Sequence, residues 1–252
     1  MTVRRRGRDL GLAHNVTGSG PPLVLVHGLS GTRRIWQRNI AALAAEFTVY
    51  SLDLPSFVET RGVGATLPRV ERELVALLDR VGLERTSLVG HSLGGVVCAG
   101  VAADHPHLVD RLVLVDAALL SYTPGAARSV VGLVRSLWFT PPGTYPELLR
   151  GALRAGPIAL VRAMSELLAV DRREQLERIS CPTLVVWGEN DTICPLTIGE
   201  GIASEIPDAR LLIVRNAGHN PMWDQPASFN SGVLSFLTSP RADVERDPAV
   251  TA

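Results

Sequence analysis

The pentapeptide Gly90-His91-Ser92-Leu93-Gly94 is the strongest chemical signal in this chain. It follows the apolar run Thr86-Ser87-Leu88-Val89 and precedes a helical stretch opening near Gly95, which is the strand-turn-helix context of a G-x-S-x-G nucleophile elbow. A side chain lifted out of so sharp a turn needs neighbours without bulk, and the glycines flanking Ser92 supply that. The helix beyond it would aim its free N–H groups at the site and favour developing negative charge. A serine hydroxyl is a poor nucleophile alone, so a base must be found elsewhere.

His219, in Asn216-Ala217-Gly218-His219-Asn220-Pro221, is the candidate base, because it follows the last strand in a sharply held loop. His14, His27, His91, His105 and His107 read instead as structural or solvated histidines, with His27 shaping the loop beside Gly28. The base in turn needs an acceptor that fixes its tautomer. Asp191, in Gly188-Glu189-Asn190-Asp191, is preferred, since it gives the chain order Ser, Asp, His. Glu189 comes earlier in the turn and should face water, whereas Asp116, closing Leu112-Val113-Leu114-Val115-Asp116, is the rival acid. Attack on a carbonyl creates an oxyanion, for which the expected donors are the backbone N–H groups of Leu93 and of Leu29 in His27-Gly28-Leu29-Ser30-Gly31.

These residues must be delivered by a scaffold, and the sequence outlines one. Strands are expected at Leu23 to His27, Phe47 to Asp53, Thr86 to His91, Arg111 to Asp116, Thr183 to Gly188 and Arg210 to Val214. Helical spacing marks Arg33 to Ala45, Pro68 to Val81, Leu93 to Asp104, Thr197 to Glu205 and Pro226 to Leu237. The alternation predicts an α/β fold with a doubly wound, mostly parallel sheet. A further strand near Leu10 to Asn15 is placed at an antiparallel edge, before the turn Gly18-Ser19-Gly20-Pro21. The core is assigned to residues 1–118 and 180–238, a helical cap to 119–179 and a disordered tail to 239–252. Within the cap, Trp138 and Phe139 are candidate lining of a substrate pocket, and Met222 beside His219 is a third.

Composition narrows the partners. The 252 residues carry a net charge of +0 with a pI near 7.0, which offers no attraction to nucleic acid or an anionic membrane. All 25 basic residues are arginines, scattered except for Arg4, Arg5, Arg6 and Arg8, which read as a solvated tail. No apolar segment of roughly 7–15 residues follows them as a secretory signal requires, and no run is long enough to cross a bilayer, so a cytoplasmic protein is expected. Cys98, Cys181 and Cys194 lack paired spacing, so neither a metal nor a disulfide framework is expected. Cys98 should be an inert core thiol, and Cys194 lies close to Asp191 in sequence. No cofactor is implied.

Taken together, His27-Gly28, Gly90-His91-Ser92-Leu93-Gly94-Gly95, Gly188-Glu189-Asn190-Asp191 and Gly218-His219 resemble the α/β-hydrolase superfamily, specifically its small capped serine esterases and carbon-carbon-bond hydrolases. The resemblance runs from about Leu10 to Leu237. It implies a cofactor-free hydrolase acting on a small, fairly apolar carboxylic ester through an acyl-enzyme. Alternatives with the same three residues are carbon-carbon-bond or lactone cleavage, acyl transfer and perhydrolysis; a ligand-binding receptor is an alternative of another class. One departure is clear. Relatives continue the strand ending at Asp53 as D-x-x-G-x-G-x-S, whereas here Ser56 and Val58 replace both glycines.

Overall fold

A computed structural model of the protein describes residues 12–29, 31–54, 66–121 and 171–240, together with positions 146, 149 and 167. Seven strands form one sheet: β1 (Ala13–Thr17), β2 (Pro22–Val26), β3 (Thr48–Asp53), β4 (Thr86–His91), β5 (Val109–Val115), β6 (Thr183–Gly188) and β7 (Ala209–Val214). Their order is β1-β3-β2-β4-β5-β6-β7, with β1 antiparallel to β3 and every other pairing parallel. The helices are α1 (Ile40–Leu43), α2 (Leu67–Arg80), α3 (Leu93–Asp104), α4 (Arg173–Leu176), α5 (Leu196–Glu205), α6 (Pro221–Asp224) and α7 (Pro226–Thr238).

The near-continuous apolar strands follow from burial on both faces. Along β2, Val24 and Val26 enter a core with Leu74, Leu78 and Val97 of α2 and α3, while Leu23 and Leu25 enter a second core with Trp36, Trp223 and Phe229. The same alternation divides Leu112 and Leu114 from Val113 and Val115 in β5. The doubly wound α/β sheet expected from the sequence is the observed one. No helix among the described residues is long and apolar enough to cross a membrane.

Differences from the sequence reading have local causes. The helix expected over Arg33 to Ala45 is a 3-10 turn at Arg33–Trp36 followed by the separate α1. The break falls at Asn39, which is fully buried and donates from Nδ2 to the Met222 carbonyl at 2.9 Å and to Asn230 Oδ1 at 2.8 Å. Strand β1 runs to Thr17, later than expected, because pairing with β3 continues to Thr17 opposite Val49. At the start of the expected tail, the Ser239 carbonyl accepts from the buried guanidinium of Arg111, and residues 241–252 of that tail lie outside the described residues. Most of the expected cap, with Trp138 and Phe139, and the Ser56–Thr60 departure lie outside the described residues; within the cap range, Leu167 packs against the first core.

The contact between β4 and α3 leaves no room for side chains at two glycines. A Cβ on Gly90 would sit 2.4 Å from the Gly94 carbonyl oxygen, and one on Gly94 would sit 2.5 Å from that of Val26. Backbone cannot yield as a side-chain tip can. In thermal melts, Gly90→Ala is expected to lower Tm by roughly 5 °C or more. Gly201→Ala, whose Cβ meets only the Leu120 Cδ1 tip at 2.9 Å, should stay within about 2 °C. Equal shifts would contradict the packing argument.

Candidate active site

Ser92 sits between β4 and α3 at φ 51 and ψ −118, a conformation that few non-glycine residues adopt. Its N–H donates to the Val115 carbonyl at 2.8 Å, and its own carbonyl accepts from Gly95 at 2.9 Å. The turn is thereby anchored to the neighbouring strand and to the first turn of α3, and the side chain stands at the carboxyl end of the sheet.

Three loops meet there. The Ser92 hydroxyl donates to His219 Nε2 at 3.1 Å, and His219 Nδ1 donates to Asp191 Oδ2 at 2.7 Å. The imidazole is one-tenth exposed and the Asp191 carboxylate fully buried. The other carboxylate oxygen, Oδ1, accepts from the N–H groups of Ile193 at 2.7 Å and Cys194 at 3.0 Å. Both oxygens are therefore committed, which fixes the tautomer of His219 with its proton on Nδ1 and Nε2 free to accept. The structure brings Ser92, Asp191 and His219 together.

Backbone bonds lace the two loops that carry the imidazole and the carboxylate. Asn190 donates to the Ala217 carbonyl at 2.8 Å, and the exposed Glu189 accepts from the Asn216 N–H at 2.9 Å. Gly188 packs so close to Gly218 that an added Cβ would lie 2.0 Å from its carbonyl oxygen. Met222, expected to line a pocket, instead has no exposed surface and belongs to the second core beneath this loop.

The turn after β2 is held from the opposite side. Leu54 N–H donates to His27 Nε2 at 2.9 Å, so Nδ1 carries the proton and donates to the Gly28 carbonyl at 2.8 Å. Burial lowers the pKa of His27 and keeps it neutral. Arg33 adds a backbone N–H bond to Asp53 at 2.8 Å and an ion pair with the same carboxylate. A Cβ on Gly28 would fall 3.0 Å from Ser92 Cβ, which places this turn directly against the serine. Leu29 occupies a turn closed by Gly31 N–H to the Gly28 carbonyl at 3.1 Å, which leaves the Leu29 amide out of the turn's own bond. Leu93 opens α3, where the first amides have no partner within the helix.

Sequence reasoning assigned His91 no role at the site, but its Nε2 donates to the His219 carbonyl at 2.8 Å, with the two rings 5.1 Å apart. Burial first, then the nearby His219, pushes the pKa of His91 down to about 3, so it serves as a neutral donor that pins the His219 backbone. Asp224 was also overlooked; its Oδ2 accepts from Gly218 N–H at 2.9 Å. No sequence signal marks either role, because both depend on where a loop returns in space.

Asp191, Cys194 and His219 present possible ligand atoms within 4.8 Å of one another. Hydrogen bonds already occupy both Asp191 oxygens, and burial raises the Cys194 pKa so that the thiol keeps its proton. The arrangement is suited to moving a proton from Ser92 toward the imidazole. Asp116, the rival acid, lies fully buried behind this chain, with Oδ1 accepting from Gly188 N–H at 2.9 Å.

The family model for the alpha/beta hydrolase family matches residues 23–231. The chain is 29% identical to the protein named "Putative carbamate hydrolase RutD" of Caulobacter sp. (strain K31), with 92% of this chain and 97% of the relative covered. It is 27% identical to the pimeloyl-[acyl-carrier protein] methyl ester esterase of Vibrio atlanticus (strain LGP32), covering 88% of this chain and 96% of that one. Among solved structures, a thermophilic esterase from Thermogutta terrifontis, crystallised with malate, superposes with a TM-score of 0.74 at 27% identity, covering 93% and 94% of the two chains.

Asp224 generates a prediction. Burial pushes its pKa up to about 6, above the ordinary value of 3.8, so the folded state holds a proton that the unfolded chain has released. Stability must then fall as pH rises through that window. Asparagine can still accept from Gly218 without carrying charge. In denaturant titrations, the stability of Asp224→Asn relative to wild type is expected to improve from about pH 4 to about pH 7. A constant difference across that range would contradict the assignment.

Proposed function

Because the chain belongs to the α/β hydrolase family, we propose that it is a serine hydrolase that cleaves a small, fairly apolar carboxylic ester through an acyl-enzyme. The observation that carries this reading is the hydrogen-bonded chain from Ser92 Oγ to His219 Nε2 at 3.1 Å and from His219 Nδ1 to Asp191 Oδ2 at 2.7 Å.

In the first half-reaction, Ser92 Oγ bonds to the ester carbonyl carbon while His219 Nε2 takes the hydroxyl proton. The Asp191 carboxylate stabilises the resulting imidazolium. The negative charge on the former carbonyl oxygen is met by the N–H groups of Leu29 and Leu93, aided by the N-terminal end of α3. When the tetrahedral centre collapses, the carbon–oxygen bond to the alcohol breaks and Nε2 returns its proton to the leaving oxygen. Water then repeats the sequence: His219 takes its proton, hydroxide adds to the acyl carbon, and the carboxylic acid departs as Ser92 is reprotonated.

The esterases of Vibrio atlanticus and Thermogutta terrifontis support an ester substrate. The relative named for carbamate hydrolysis supports a second reading, in which the acyl carbon bears nitrogen. The same three residues serve both, and the leaving group would then accept the Nε2 proton at nitrogen.

Short p-nitrophenyl esters, assayed beside a simple carbamate, test the proposal. Wild type is expected to release p-nitrophenol, and Ser92→Ala to lose at least about a thousandfold in kcat. Asp191→Asn should lose up to about ten-thousandfold in kcat through the wrong histidine tautomer. A wild type inert toward both substrate classes, or a Ser92→Ala variant as active as wild type, would overturn the reading.

A further inference from the structure

One buried acid takes no part in the chemistry above. Asp116 closes β5 with φ 44, and its side chain has no exposed surface. Its N–H donates to the Val186 carbonyl at 3.0 Å, and Oδ1 accepts from Gly188 N–H at 2.9 Å, so the residue is clamped against β6 from both ends. Asp191 is anchored to the same Gly188, its N–H donating to the Gly188 carbonyl at 3.1 Å, which makes the two buried acids neighbours. Yet with both acids ionised neither has a hydrogen to give, and Oδ2 of Asp116 is left buried without a partner.

Two neighbouring carboxylates out of water cannot both keep their charge. The surroundings decide which one is neutralised. Asp191 receives two backbone N–H groups and the His219 Nδ1–H, whereas Asp116 receives one backbone N–H. Among the described residues, the other titratable groups facing Asp116 are the neutral Cys194 thiol, on the same loop as Asp191, and Asp224, on α6; neither supplies positive charge. We infer that Asp116 is a positioning residue, a neutral carboxylic acid whose Oδ2–H donates to the Asp191 carboxylate and holds it in place for His219. One proton then supplies both the missing partner of Oδ2 and the relief of charge repulsion. Burial, followed by the charge of Asp191, raises the Asp116 pKa well above its ordinary range, in accord with this placement.

The catalytic consequence rests on the serine-hydrolase reading, but the protonation state does not. Asparagine at this position keeps an acceptor for Gly188, a donor for Asp191 and a neutral charge. Asp116→Asn is therefore expected to retain kcat/KM within about threefold, with the acidic limb of its pH profile superimposed on that of wild type. Asp116→Ala, which removes the donor, should lose roughly tenfold to a hundredfold in kcat with KM little changed. Were Asp116 ionised instead, Asp116→Asn would withdraw a negative charge beside the Asp191–His219 pair and move the acidic limb to lower pH. An infrared difference spectrum of wild type minus Asp116→Asn at about pH 8, where Asp224 has lost its proton, reads the acid directly and needs no turnover. The expected result is the C=O band of a protonated carboxylic acid, present in wild type and absent from the variant. Absence of that band, or a displaced acidic limb, overturns the inference. A band that persists in an enzyme without esterase activity would leave the shared proton standing while the functional reading fell.

Discussion

A serine held in strained backbone geometry governs the architecture around it. At φ 51 and ψ −118, Ser92 occupies a conformation costing about 1–3 kcal/mol for a residue with a side chain. Such a residue persists only where its surroundings leave no alternative. Strand β4 pairs on both sides, and α3 presses onto the sheet so closely that Gly90 and Gly94 admit no Cβ. The amide bond from Ser92 to Val115 locks the corner to β5. The strain is balanced by the burial of α3, whose residues from Leu93 to Ala103 are all in the core.

Parallel strands then set where everything else must be. Because β2, β4, β5, β6 and β7 run the same way, the segments that follow them emerge at one end of the sheet. His27 and Gly28 leave β2, Ser92 leaves β4, Asp116 closes β5, Asp191 follows β6 and His219 follows β7. Residues more than a hundred positions apart in the chain meet there as a result. Precision is added locally by neutral buried histidines: His27 ties the turn after β2 to Leu54, and His91 holds the His219 carbonyl. Both resist protonation through burial, so neither brings a competing positive charge to the site.

The parts of this arrangement that obey a period or a fixed local spacing were legible in the sequence. Strands β4 and β6 and helix α3 were read to the residue, and Ser92, Asp191 and His219 each sat just beyond a readable strand. What depends on distant contacts was not legible. Asn39 has unremarkable neighbours in sequence, but its bonds to Met222 and Asn230 divide an otherwise continuous helical pattern. Met222 looked like pocket lining because it follows His219, whereas the Pro221–Asp224 turn folds it into the second core. Asp116 invited reading as an alternative acid; what the sequence hides is its full burial with Oδ1 committed to the Gly188 N–H.

The central claim is that one hydroxyl among all those in the chain is made reactive by one imidazole. Treatment with a fluorophosphonate, followed by peptide mapping in a mass spectrometer, tests it most directly. The account predicts a single phosphonyl group carried by Ser92, with labelling slowed by orders of magnitude in His219→Ala. Modification at another residue, or labelling of Ser92 that proceeds at an unchanged rate without the imidazole, would contradict it.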